Sequence, residues 1–135
     1  MLKVNTSELS GAALDWAIAV QEGRTVVLDP MAFKTGSQSG YWIWEEKEEN
    51  KKNIYQIIGL DYSPSSNWEQ AGTLMERYNV YPSCYHGCDE NNLNKYQAGE
   101  DVSWCRGDTP LVAVMRSLVR AKVGDEIYIP EGLVA

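Results

Sequence analysis

The spacing of apolar and polar positions changes period several times along the chain, and each change predicts an element. The clearest follows Gly107-Asp108-Thr109-Pro110, where Leu111, Val114, Met115, Leu118 and Val119 fall at i, i+3, i+4, i+7 and i+8, the stripe of a helix facing a core. Asp108 or Thr109 caps this helix, Pro110 takes the first position, where no amide donor is needed, and Gly124 closes it. Arg116 and Arg120 sit four apart on another side, and Lys122 lies near the end, where positive charge suits the helix dipole. A second helix is predicted upstream: the hydroxyls of Thr6, Ser7 and Ser10 precede the apolar run Ala12–Val20, and Gly23 stops it. That run is alanine-rich and apolar on most faces, which predicts close packing on a sheet, with Asp15 and Glu22 on the face left to solvent.

Between and after these helices the pattern favours short strands. Thr25-Val26-Val27-Leu28 is one, ended by Asp29-Pro30, and a loop follows from Met31 to Ser39. Tyr41-Trp42-Ile43-Trp44 is another, with both tryptophans on one face, as part of a core or as the floor of an aromatic site; burial of so much area favours the core. Ile54–Ile58 fits a strand or a short helix. Thr73–Tyr81 alternates, with Leu74, Glu76, Tyr78 and Val80 on one side and Thr73, Met75, Arg77 and Asn79 on the other, which predicts a strand from which Arg77 projects. Asp101–Cys105 and Ile127–Ile129 read as further strands, and Pro82–Gly99 as a polar, Asn-rich excursion. The elements sum to an α+β fold, two helices packed on a small, mostly antiparallel sheet, in one domain with a polar excursion at about 82–100.

One stretch fits no period. Asp61-Tyr62-Ser63-Pro64-Ser65-Ser66-Asn67-Trp68-Glu69-Gln70-Ala71-Gly72 combines hydroxyls, amides, carboxylates and two large aromatics, which predicts an ordered surface loop. Ser63-Pro64 favours a turn, and the side chains of Ser65, Ser66 and Asn67 can bond nearby backbone amides. Such a loop either carries a binding site or only locks the sheet edge.

Composition narrows the partners. The 135 residues suit one domain with its own core. With 19 acidic and 12 basic residues the formal charge is −7, and part of the excess lies in Glu45-Glu46-Lys47-Glu48-Glu49. That balance disfavours nucleic acid and anionic membranes as partners, since both are bound through basic surfaces. No stretch is long and apolar enough to span a bilayer, and Met1-Leu2-Lys3-Val4-Asn5 does not begin a signal peptide, so a cytosolic location is expected. The three cysteines then read as free thiols.

Catalytic and metal chemistry finds little support in the sequence. Cys84, His86, Cys88 and Cys105 contain the donors of a Cys3His zinc set, but three of them crowd into five residues, unlike paired CxxC knuckles, and no metal or other cofactor is expected. Asp15, Asp61, Glu69 and Asp108 show no pairing that singles out an acid and a base, and Gly36-Ser37-Gln38-Ser39-Gly40 lacks the end of a phosphate-binding P-loop. The better case is a ligand pocket. Tyr62 or Trp68 offers a face for stacking, Ser63, Ser65, Ser66, Asn67 and Gln70 offer hydrogen bonds, the amides after Thr109 offer an anion seat, and Arg77, Arg106 and Arg116 are the candidate cations.

Three blocks carry a family resemblance: Thr6–Ala17, Tyr62–Gly72, and Thr109–Arg116 together with Lys122–Glu126. On these the chain resembles the NinX family of lambdoid-phage accessory proteins. The family pattern has a second glycine where this chain has Ala71 and a proline where it has Thr73. The resemblance supplies no catalytic residues to transfer. It implies a small phage protein acting on host machinery, phage DNA metabolism or host defence. The leading expectation is therefore a non-enzymatic accessory protein that binds, and thereby sequesters, a small nucleotide-like ligand such as a defence signal. The alternatives are an interaction module docking on a host or phage protein through the Trp-rich strand and acidic run, with self-association open, and, last, a hydrolase using Asp61 or Glu69.

Overall fold

In a computed structural model, which describes residues 1–28, 41–47, 52–84, 95–130 and 133, with the backbone alone for 45–47 and 52–55, the final helix forms where its stripe requires. This helix, α3 (Pro110–Val123), is capped by Thr109, whose hydroxyl accepts the Val112 N–H at 3.2 Å, and it buries Leu111, Val114, Met115, Leu118 and Val119. The upstream helix, α1 (Gly11–Gln21), is buried from Ala13 to Ala19 and packs against α3. Its small side chains permit that approach. The fold is α+β, but with three α-helices and three separate small antiparallel sheets among the described residues.

The extra helix is the main correction. Thr73–Tyr81 is not a strand: α2 spans Trp68–Tyr78, and Asn67 caps it by accepting the N–H groups of Glu69 at 3.0 Å and Gln70 at 3.1 Å. Ala71, Leu74, Met75 and Tyr78 supply its inward face at helical spacing. Leu74 and Tyr78 satisfy a period of two as well as a period near 3.6, and the strand pattern drew on that coincidence. Asn79 then takes a left-handed conformation, φ 54°, and ends the helix.

The sheets follow the chain ends and its two halves. β1 (Leu2–Asn5) pairs with β8 (Glu126–Ile129), placing Leu2 opposite Ile129. Thr6, fully buried beyond β1, fastens this pair by donating to the Gly124 and Asp125 carbonyls. β2 (Thr25–Leu28), β3 (Tyr41–Lys47) and β4 (Lys52–Ile57) form the second sheet in that order. Its core face is the Tyr41 and Ile43 face: Ile43 is fully buried, and Tyr41 meets Trp16 edge-on with ring centroids 6.4 Å apart. Trp42 and Trp44 are half-buried on the other face and stand outside the core cluster, so the core assignment of the tryptophan face is corrected. The side chains of the acidic run lie outside the described residues.

The third sheet runs β5 (Ser83–Cys84), β6 (Tyr96–Ala98) and β7 (Cys105–Gly107). Asp101–Ser103 is a 3-10 turn and not the start of a strand: Asp101 has φ 51°, and the Ser103 hydroxyl accepts the Glu100 N–H at 3.2 Å. No helix among the described residues is long and apolar enough to cross a membrane.

Candidate functional site

The central stretch folds inward. Tyr62, Ser63, Pro64 and Ser65 are buried, and the polar groups expected to meet a ligand are engaged by the protein itself. Gln70 accepts the Ser63 N–H through Oε1 at 2.7 Å and donates to the Asp61 carbonyl through Nε2 at 2.6 Å. The Asp61 side chain accepts the Ile57 N–H at 3.0 Å, a turn-fixing role, and Ser66 and Asn67 donate their N–H groups to the Ser63 carbonyl. Trp68 does not anchor the loop: it is 61% exposed at the first position of α2.

Asp15 closes this arrangement from the core side. It is 2% exposed and not on a solvent face, because the loop folds over it and its Oδ1 accepts the Ser65 N–H at 2.9 Å. Burial raises its pKa from 3.8 to about 6, against the opposing pull of the Ser65 hydrogen bonds.

Beside the loop lies a cleft of about 200 Å³ whose lining includes Glu22, Arg24, Gln56, Tyr62, Gln70 and Arg77. Arg77 lies on α2 and forms an ion pair with Glu22, whose other oxygen accepts the Tyr78 hydroxyl at 2.6 Å. Arg24 lies over the Tyr62 ring, 5.4 Å from its centroid, and donates to Gln56 Oε1 at 3.2 Å. Burial pushes the Tyr62 hydroxyl up to about 12, so it stays protonated. The cleft is a self-satisfied polar seam.

Arg106 and Arg116 do not join it. They line a different cleft, of about 300 Å³, together with Arg120, Trp104, Cys105, Ser7 and Glu8. Its construction starts at Gly107, where a Cβ would fall 2.5 Å from the Ala113 backbone nitrogen. Only glycine lets β7 lie this close to α3. The approach puts the Arg106 carbonyl 2.9 Å from Arg116 Nη1, while Arg116 Nε donates to the Leu9 carbonyl at 2.7 Å. One turn on, Arg120 donates to the Trp104 carbonyl at 2.5 Å and to Asp125 at 2.9 Å.

The lining holds three arginines and Glu8, while Asp125 pairs with Arg120 and the charges of Asp108 and Glu8 act on Arg116, so neighbouring carboxylates offset much of the positive charge gathered here. Burial lowers the Arg116 pKa, opposed by the charges of Asp108, Cys105 and Glu8, yet a guanidinium remains charged at neutral pH. Burial raises the Cys105 thiol despite the two arginines, so it is a neutral wall and not a thiolate. Thr109 caps α3 at the Val112 N–H, which removes one amide from the proposed anion seat. Of the residues missed in the sequence, Arg120 carried a signal in its four-residue spacing from Arg116, whereas Trp104 and Arg24 carried none that tied them to a cleft.

A wider groove, about 560 Å³, runs past Tyr81, Gln97, Glu100 and Trp104, and among the described residues Glu100 is its one charged lining group. Size alone favours it; the chemistry favours the arginine cleft. His86 and Cys88 lie outside the described residues; Cys84 is exposed and Cys105 buried. Among the described residues, no group of three or more His, Cys, Asp and Glu could hold a metal ion.

Fold and site together define an α+β protein in which, among the described residues, three arginines gather on one cleft between α3 and β7. The NinX family of bacteriophage P22 matches residues 5–122, and the chain belongs to that family. It is a phage protein. Among curated proteins, none matches the chain significantly.

Proposed function

We propose that this phage accessory protein binds a small anionic ligand in the arginine cleft and holds it without turnover. The observation that carries this is the convergence of Arg106, Arg116 and Arg120 on one cleft in an otherwise acidic chain. Guanidinium groups match phosphate oxygens with planar, paired donors, and arginines gathered in one cleft attract small anions while the overall charge repels nucleic acid. Trp104 adds an aromatic wall to the same cleft. A volume of about 300 Å³ sits at the lower end for ligand pockets, which suits a phosphorylated nucleoside more than a long oligomer. Sequestering a nucleotide-derived host signal is the role that combines this chemistry with membership of a phage family.

The test is calorimetric titration with mononucleotides, cyclic dinucleotides and inorganic phosphate, supported by native mass spectrometry of protein taken from infected cells. Binding by one of these nucleotides that falls at least tenfold in Arg106→Glu, with an unchanged melting temperature, is the expected result. Absence of binding across the panel at millimolar concentration, or equal binding by the variant, overturns the reading. Product formation during incubation would overturn its non-enzymatic part.

A further inference from the structure

The three helix ends enclose a crevice that the arginine cleft does not involve. It has a volume of about 260 Å³, and its apolar walls come from Ile18 on α1, Val80 after α2, and Leu118 and Ala121 on α3. Tyr78 presents its ring to the same space, and Lys122 stands at the rim with its ammonium 5.2 Å from the centre of that ring. The other charge at the rim is already matched: Glu22 holds Arg77 through one oxygen and the Tyr78 hydroxyl through the other. Among the described residues, Lys122 touches only the ring face, which leaves its N–H donors available to a ligand.

The geometry points to a binding site for a small aryl carboxylate, its ring in the crevice and its carboxylate on Lys122. An apolar cavity of about 150 Å³ takes a benzene, so this crevice has room for a ring and a short arm. The Tyr78 ring gives an aromatic guest an edge or face to pack on, which an aliphatic chain does not use as well. The ammonium sets the sign of the ligand: a cation is repelled at Lys122, and it finds Glu22 occupied. An aryl alcohol gains the packing without the ion pair, and a short aliphatic acid gains the ion pair without the packing.

Methyl-resolved NMR titration with 3-phenylpropionate, 3-phenylpropanol and propionate tests this. The expected result is saturable shifts of the Ile18, Val80, Leu118 and Ala121 methyls by phenylpropionate. Phenylpropanol is expected to bind about fivefold more weakly, the value of an exposed ion pair, and propionate to cause no shift. Lys122→Gln should bring the acid down to the level of the alcohol. Ala121→Phe, a change at an exposed helix position that fills the crevice, should abolish binding of both while the fold is kept. Arg106→Glu should change nothing here, which separates this site from the arginine cleft. Equal binding of acid and alcohol, binding that survives Ala121→Phe, or shifts centred on the arginine cleft each overturn the inference.

Discussion

Replacing Asp15 by asparagine asks whether a buried carboxylate costs this protein stability at neutral pH. In the folded protein Asp15 titrates near 6, against 3.8 for an ordinary aspartate, because burial disfavours its charged form more than the Ser65 hydrogen bonds favour it. The folded state therefore holds this proton more tightly than the unfolded chain does. Between the two pKa values the folded state carries more bound proton, so stability falls as pH rises through that window and levels off above about 6. At about 1.4 kcal/mol per pH unit, the full loss is about 3 kcal/mol at pH 8, of which about 1 kcal/mol has already accrued at pH 4.5. Asparagine keeps an oxygen for the Ser65 N–H and cannot ionise. The advantage of Asp15→Asn over the parent should therefore widen by about 2 kcal/mol between pH 4.5 and pH 8. Urea unfolding at four pH values across that range, followed by far-UV circular dichroism, measures it. Any fixed difference between amide and acid cancels in the comparison, as do the other carboxylates. A difference that does not change with pH would refute the argument, and so would one that narrows as pH rises.

Two further substitutions probe the scaffold. Gly107→Ala should lower stability by about 2–3 kcal/mol, because its methyl meets α3 backbone and not the end of a flexible side chain; the urea midpoint reads the loss. Asn67→Ala removes the cap on α2 and should cost about 1 kcal/mol, while Asn67→Asp should remain near the parent; thermal melts followed by circular dichroism distinguish the two.

The parts of the fold that were legible in the sequence are those set by local signals. The cap and stripe of α3 lie within one turn or two of each other, and each supports the other. α2 was hidden because Leu74 and Tyr78 serve either period, although Asn67, three residues before Gln70, was a cap in plain view. Asp15 was misplaced for a different reason. A single polar residue in an apolar helix reads as the solvent face, but its burial depends on a loop fifty residues away in sequence that folds over it. The loop was expected to offer its amides and hydroxyls to a ligand, and it uses them instead to close on Asp15, Gln70 and its own backbone. The arginine cleft was half legible: Arg106 and Arg116 stood out as cations, and Arg120 by its spacing. Their meeting depends on how closely β7 approaches α3, which local patterning does not reveal.

The same arginines also hold the fold together, and this bears on how the cleft can work. Arg116 and Arg120 donate to the carbonyls of Leu9, Arg106 and Trp104, joining α3 to the turn after β1 and to the strand at its side. Neutral donors could serve those carbonyls without the cost of burying a charge, and burial lowers the Arg116 pKa. The charges of Asp108 and Glu8 offset part of that cost, and under the proposed function a bound anion would offset more of it. The bonds to those carbonyls fix the geometry of both guanidinium groups, which would spare binding of the proposed kind the ordering entropy that mobile surface arginines lose. It also explains the choice of Arg106 for the binding test. Its main chain, not its side chain, accepts from Arg116, so Arg106→Glu reverses a charge at the cleft without removing that bond. Arg116→Ala would strip donors from two carbonyls, and a loss of binding would then report a loosened core as readily as a lost contact.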